Sequence, residues 1–343
     1  MKKISVAIVG YGVVGKRRRK YIDLNKNYHL KYITDIQFKK DFKYNNVHYF
    51  RNYKKILSKK IDAVFITLPT YLAAKVTTEF LEKNVHVFCE KPPSRNLNEL
   101  LSVKKKILSK KNIKLKYGFN HRYHDSIKEA KKLIEKKIFG EIINIRCVYG
   151  KSKIVTFDKY EWRSKRKYAG GGILLDQGIH LIDLIIYLTN RKFNEIYGFI
   201  SNKYWKHNVE DNAFAIMRNS KGLIASIHSS ATQWKHKFSI EISLNSALVE
   251  LNGILSGSKS YGKETLTIYH KDVSSKKGSK NKEKFYFKND YSWKQEIDEF
   301  AKIISNKEKV NIGNINDAIK VMETLEEIYN SDNKWKKKFI NEY

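Results

Sequence analysis

The feature that most restricts this chain is a glycine-rich turn close to its start. Ile4–Val9 is an almost wholly apolar run, Gly10-Tyr-Gly12-Val-Val-Gly15 follows at once, and a helix-like stretch comes next. A strand apolar on both faces belongs in a sheet that is covered on both sides. Gly10 permits a tight turn, Gly12 the close approach of an anionic group, and Gly15 a tight helix–strand contact. The N–H groups at the helix start favour negative charge, so the turn predicts a cradle for a dinucleotide pyrophosphate. Val13 and Val14 lie inside that turn and are further candidate contacts. Asp35 stands twenty residues after Gly15, at the end of the second apolar run. A carboxylate there accepts hydrogen bonds from a ribose diol and repels a 2′-phosphate, so NAD is the expected cofactor. NADP stays open, because Lys39 and Lys40 are close enough in sequence to meet a phosphate. The bland alternative is a glycine turn without a ligand; strand, turn, helix and acidic residue in series argue against it.

Later runs extend the pattern. Leu30–Thr34, Ile61–Leu68, Val85–Cys89 and Ile113–Phe119 have strand length, and amphipathic stretches such as Leu72–Lys83 and Leu97–Lys110 lie between them. This alternation predicts an α/β domain over residues 1–120, a doubly wound parallel sheet of the Rossmann kind. The three prolines, Pro69, Pro92 and Pro93, each follow an expected strand and mark the carboxyl edge of the sheet, where such folds bind ligands.

From residue 121 to 343 the pattern changes. A helix over Ser126–Lys137 leads into Glu141–Tyr149, and a glycine cluster precedes an apolar helix near 173–188. Then come β-rich runs: Phe193–Ser201, Asn212–Met217, Leu223–Ser229, Phe238–Leu244 and Thr265–Tyr269. Turn signals at 219–222 and 251–253 separate several of them, predicting a second α+β domain with a large, open, mostly antiparallel sheet. Ser274–Lys284 is Lys/Ser/Gly-rich and reads as an exposed loop, while closing helices near Ser292–Ile304 and Asn316–Tyr329 are expected to pack back on the body.

The net charge of +33 raises the question of a nucleic-acid partner. The lysines are spread along the chain, not gathered in one arm, and Asn, Ile and Tyr are abundant too; a solvated lysine-rich surface accounts for this, and no nucleic acid is expected. Cys89 and Cys147 are the only cysteines, too few for a disulfide framework or a zinc cluster, which suits a reducing cytoplasm. The basic start leads into a glycine turn and not a cleavage site, and Gly172–Leu188 is interrupted by Asp176, His180 and Asp183, so neither a leader nor a membrane span is expected.

Two further features point to chemistry. Glu90-Lys91-Pro92 ends an expected strand, and an ammonium at that edge can hydrogen-bond a reacting hydroxyl and stabilise alkoxide character; taken alone, it reads as a surface lysine in a lysine-rich chain. More informative is Gly170-Gly-Gly-Ile-Leu-Leu-Asp176-Gln-Gly-Ile-His180-Leu-Ile-Asp183. On a helix the three ionisable groups share one face amid apolar bulk, a costly burial unless they bond one another or meet a ligand. Histidine changes protonation near neutral pH, as the base for an alcohol proton must. A lone buried histidine is usually structural; the aligned stripe favours function, and a metal site is a lesser alternative without a further ligand cluster.

These motifs, in this order and spacing, resemble the Gfo/Idh/MocA oxidoreductase family from about residue 3 to at least residue 250. The resemblance implies an NAD(P)-dependent dehydrogenase acting on secondary alcohols of sugars, cyclitols or nucleotide sugars. It implies Lys91, Asp176 and His180 as the catalytic set, with Lys91 orienting the reacting oxygen and His180 as base, and Asp183 as structural support. Thr67, Pro69, Glu90, Lys91 and Asn120 join the glycine turn and Asp35 as cofactor contacts, and Arg122, Trp162 and Arg163 line the substrate pocket. It further implies a homodimer or homotetramer built through the second domain's sheet. One departure is Ala73, where many members carry histidine. A non-catalytic dinucleotide-binding regulator on the same fold is the rival reading, since fold alone does not establish function.

Overall fold

All six residues of strand β1 (Ile4–Val9) are buried, as expected of a strand covered on both faces. The computed structural model describes residues 3–152, 161–256, 261–271 and 281–338. Among the described residues the chain divides into two units. One comprises 1–120, 168–170 and 293–319, the other 121–167, 171–292 and 320–343.

In the first unit β1 leads into α1 (Val13–Leu24), β2 (Tyr28–Thr34), β3 (Phe42–Tyr44), β4 (Val47–Phe50), α2 (Lys54–Leu57) and β5 (Ala63–Ile66). There follow α3 (Thr70–Glu82), β6 (His86–Glu90), α4 (Leu97–Leu108) and β7 (Leu115–Gly118). The seven strands run β3-β4-β2-β1-β5-β6-β7, parallel throughout except for the β3–β4 pair. The strand order departs in both directions from β1, so the turn after β1 lies at the switch point where doubly wound sheets take their ligands. Helix α8 (Ser292–Ser305), a closing helix expected to follow the second domain and able to pack back on the first, packs Ile297, Phe300 and Ala301 into the first unit's core against Ile8, Phe65 and Phe88.

The hairpin β3–β4 was not foreseen. Its strands are short, Phe42–Tyr44 is exposed, and the turn is made by Asn45 and Asn46, both in the left-handed region at φ 45° and 61°. Asparagine tolerates that region, so Asn-Asn was the available signal.

The second unit opens with α5 (Asp125–Glu135) and β8 (Ile142–Ser152). After α6 (Arg166–Ala169) come a π-helical turn at Leu174–Gly178 and α7 (Ile179–Thr189). Then follow β9 (Glu195–Ser201), β10 (Asn212–Arg218), β11 (Ile224–Gln233), β12 (Lys237–Leu244), β13 (Ala247–Asn252), β14 (Glu264–His270) and β15 (Lys282–Phe287). The eight strands run β15-β14-β13-β12-β8-β11-β10-β9. Every pair is antiparallel except β8–β11. Helices α9 (Ile315–Ser331) and α10 (Asn333–Lys338) close the described chain.

Two expectations are corrected here. Leu251 and Asn252 belong to β13, so the turn expected at 251–253 begins at Gly253, where φ is +69°. The loop expected over Ser274–Lys284 gives way to an exposed edge strand from Lys282; its residues 274–280 lie outside the described residues. Lysines on an edge strand deter further pairing, and here they disguised the strand.

The stretch 166–189 is long and apolar enough to cross a membrane by length and composition, but 89% of its window is buried within the protein, as in a core helix. Helix α7 packs against β8 and β11, and this carries Asp176, His180 and Asp183 onto the sheet.

Candidate active site

The glycine turn of the first unit fits a dinucleotide. Gly10 has φ +93°, and a Cβ there would lie 2.5 Å from the Thr67 carbonyl oxygen; at Gly15 it would lie 2.2 Å from that of Gly10. Thr67 locks the turn, its hydroxyl donating to the Gly10 carbonyl at 2.6 Å. By contrast nothing lies within 4 Å of a Cβ at Gly12, which caps α1 without a side-chain hydrogen bond, and the first turn of α1 holds no acidic residue. Open space therefore faces helix N–H groups that no carboxylate has neutralised, a fitting place for phosphates. Val13 is 70% exposed at this mouth. Asp35 follows β2 and accepts from the Tyr11 N–H at 2.6 Å and the Gln37 N–H at 2.9 Å, which fixes its carboxylate beside the turn. Pro69 caps α3 at the same edge of the sheet.

Lys91 leaves the end of β6 half-buried, and the Lys91–Pro92 bond is cis. Glu90, expected as a cofactor contact, is tied to a buried arginine. It is 9% exposed and takes the Arg18 Nε–H at 2.6 Å. Arg18 itself is fully buried in α1, lies between the rings of Trp293 and Phe88 at 4.3 and 4.4 Å, and also donates to Glu296 of α8 at 2.7 Å. A single guanidinium thus ties the phosphate-turn helix, the Glu-Lys-Pro strand end and α8 together. Burial raises the Glu296 carboxyl to about 7 against the opposing pull of Arg18, and its Oε1 has no hydrogen-bond partner among the described residues. Asn120, at the end of this unit, is 7% exposed.

In the second unit the triple-glycine segment is set by contact. A Cβ on Gly172 would fall 2.1 Å from the Glu210 carbonyl oxygen, so only glycine lets the π-turn sit against this segment. Glu210 is buried, accepts the Leu174 N–H at 2.9 Å and the Tyr329 hydroxyl at 2.7 Å, and holds the turn in place. π-Turns recur at functional sites. This one carries Asp176, which is only partly buried and meets Lys151 Nζ of β8 at 3.4 Å and Arg163 Nη1 at 3.5 Å. Arg163 and Trp162 lie together in a short 3-10 turn, the guanidinium 4.8 Å from the indole. Lys151 was not foreseen; in so lysine-rich a sequence it carried no signal.

His180 is 4% exposed and stacks on His121, ring centroids 3.7 Å apart and planes 13° from parallel. His121 Nε2 is 3.2 Å from the Tyr149 hydroxyl. Asp183, fully buried, is spanned by Arg122, with Nη2 at 2.6 Å and Nε at 2.9 Å. Arg122, expected to touch substrate, is 4% exposed and forked onto Asp183, a strut between the turn 120–123 and α7. The three ionisable groups of the stripe meet different neighbours: two cations for Asp176, an imidazole face for His180 and a guanidinium for Asp183. Among the described residues no group of three or more His, Cys, Asp or Glu is placed to hold a metal.

A partly buried carboxylate between two cations, one π-turn before a buried imidazole, can hold a hydroxylated ligand and take a proton from it. Residues 4–119 match the oxidoreductase family with an NAD-binding Rossmann fold, and residues 127–249 match the GFO/IDH/MocA C-terminal domain. The chain belongs to the GFO/IDH/MocA oxidoreductase family. Uncharacterized oxidoreductase YrbE of Bacillus subtilis (strain 168) is 30% identical over 202 residues, 57% of this chain and 57% of that relative. Glucose-6-phosphate 3-dehydrogenase of the same organism is 29% identical over 202 residues, covering 56% and 55%. The chain thus spans little more than half the length of these curated relatives. Scyllo-inositol dehydrogenase from Lactobacillus casei, solved with bound NAD(H) and scyllo-inositol, shares the fold at a TM-score of 0.75 and 20% identity, over 97% of this chain and 98% of that one. The fold is therefore the GFO/IDH/MocA fold: a Rossmann unit and a second unit with a mostly antiparallel sheet.

Proposed function

We propose that this GFO/IDH/MocA protein is an NAD-dependent dehydrogenase that interconverts a secondary alcohol and a ketone on a sugar, cyclitol or nucleotide sugar. The observation that carries the reading is the Asp176–His180 arrangement, a buried imidazole one turn beyond a carboxylate flanked by two cations. A regulator that only bound a dinucleotide would have no use for it. Bound nicotinamide supplies the hydride acceptor in oxidation and the donor in reduction. The protein's residues do the rest. Gly12 and the start of α1 hold the phosphates, and Asp35 receives the ribose diol and disfavours a 2′-phosphate. Lys91 hydrogen-bonds the reacting oxygen and stabilises its alkoxide character. His180 takes the hydroxyl proton in oxidation and returns it in reduction, and Asp176 orients the neighbouring hydroxyl. Trp162 and Arg163 line the sugar pocket beside Asp176, and Asn120 contacts the cofactor.

We further assign self-association to the second unit's sheet. Tyr197, Phe199, Phe214 and Ile216 are 68, 79, 50 and 59% exposed on adjoining strands, with Phe199 opposite Phe214 and Tyr197 opposite Ile216. So large an apolar face suits a second copy of the chain. Two buried, free cysteines suit a reducing cytoplasm.

The test is a screen for NADH formation over sugars, sugar phosphates, cyclitols and nucleotide sugars with purified protein. Turnover on at least one class supports the reading. NAD binding with no alcohol oxidised and no ketone reduced would favour the regulator.

A further inference from the structure

The stacked imidazoles have a consequence for the chemistry of His180. His121 comes from the turn Asn120–Tyr123 and His180 from the first turn of α7, and they are 7% and 4% exposed. At 3.7 Å between centroids, two imidazolium rings would place like charges face to face away from water. Sites that interact so strongly bind protons as a pair, in coupled steps, and the second proton is disfavoured.

The surroundings bias where the first proton goes. From β8, the Tyr149 hydroxyl faces His121 Nε2 at 3.2 Å, and its ring stands 6.3 Å from that of His180. Burial drives Tyr149 well above its ordinary range, so it stays a neutral hydroxyl able to accept a bond from a protonated Nε2. On the other edge of His121 lies His124, at 5.5 Å between rings, and its Nδ1 is 2.7 Å from Glu264 Oε2 of β14. From β12, Phe238 adds an apolar ring 6.0 Å from His121. On the His180 side, the carboxylates of its own helical segment are already engaged: Asp183 with Arg122, Asp176 with Lys151 and Arg163.

We propose that His121 is a positioning residue that keeps His180 available as a base: the stacked pair accepts one proton, carries it on His121, and resists a second. This deepens the dehydrogenase reading and rests on it for the role of His180. Without the stack, His180 would charge at a higher pH and would lose base function over part of the neutral range.

The experiment is a side-chain NMR titration of the full-length protein's imidazoles in wild type, His121→Phe and His180→Phe, with the pH profile of kcat/KM for alcohol oxidation alongside. Phenylalanine suits the site, which already packs Tyr149 and Phe238 against the ring. The wild type is expected to show two macroscopic steps more than about one pH unit apart. In His121→Phe, His180 is expected to show a single step about one unit higher than its wild-type midpoint, with the ascending limb of kcat/KM moving up equally. Identical titration of His180 in wild type and His121→Phe would overturn the proposal, and the wild-type curve tests the coupling even if a variant fails to fold. Coupled steps in a protein that turns over no alcohol would uphold the pair and remove the dehydrogenase reading. Normal turnover with uncoupled, unshifted titration would do the reverse.

Discussion

At the scale of single residues, Asp35 and Arg122 show how far side-chain chemistry can be read from a sequence. The place of Asp35 was legible from a local count from the glycine turn, and the structure fixes its carboxylate beside Tyr11. We expect Asp35→Ala to lose discrimination against NADP on the order of tenfold, the effect of about 1.4 kcal/mol. The ratio of kcat/KM for the two cofactors measures it, and an unchanged ratio would place the ribose elsewhere. The Arg122–Asp183 pair was not legible, because the two residues stand 61 positions apart and leave no local trace. Both side chains are buried, so Arg122→Met leaves a bare carboxylate and should cost roughly 3–5 kcal/mol in urea unfolding. A loss well under about 1 kcal/mol, the range of an exposed pair, would contradict the strut.

At the scale of elements, strands β1, β5 and β6 stood out because burial on both faces makes them continuous apolar runs, and helices α3 and α4 because burial of one face imposes a helical period. Short or exposed pieces, β3, β4 and β15, impose none, and the π-turn is invisible because its spacing looks helical. Helix α8 was legible as a closing helix that could pack back on the first domain, but its amphipathic face alone does not name its contacts there. Arg18, Glu90 and Glu296 supply that information, and they make a testable pH effect. Burial raises Glu296 from 4.5 in the unfolded chain to about 7 in the fold. Between those values the folded state binds more protons than the unfolded state, so this group's contribution to stability falls as pH rises from about 4.5 to about 7 and is flat above that. Thermal melts of wild type and Glu296→Gln across this window should therefore diverge, the wild type losing relative stability toward neutral pH. Parallel curves would show that Glu296 ionises as freely in the fold as outside it.

At the scale of the whole molecule, the fold class was evident from the switch between strand–helix alternation and β-rich runs. The net charge of +33 was the loudest signal and the least informative, since lysines spread along a chain name no ligand. The exposed aromatic face of β9 and β10 is a sharper guide. Phe199→Glu with Phe214→Glu should shift the sedimenting species from oligomer to monomer, whereas an unchanged oligomer would put the interface on another face.

The central claim is that His180 acts on the substrate proton and not on cofactor binding. Measuring kcat and the NAD dissociation constant together in His180→Ala tests it most directly. The account predicts a fall in kcat of about 10²- to 10⁴-fold, typical of a lost general base, with NAD affinity nearly unchanged. Near-wild-type turnover, or a loss explained wholly by weakened NAD binding, would contradict it.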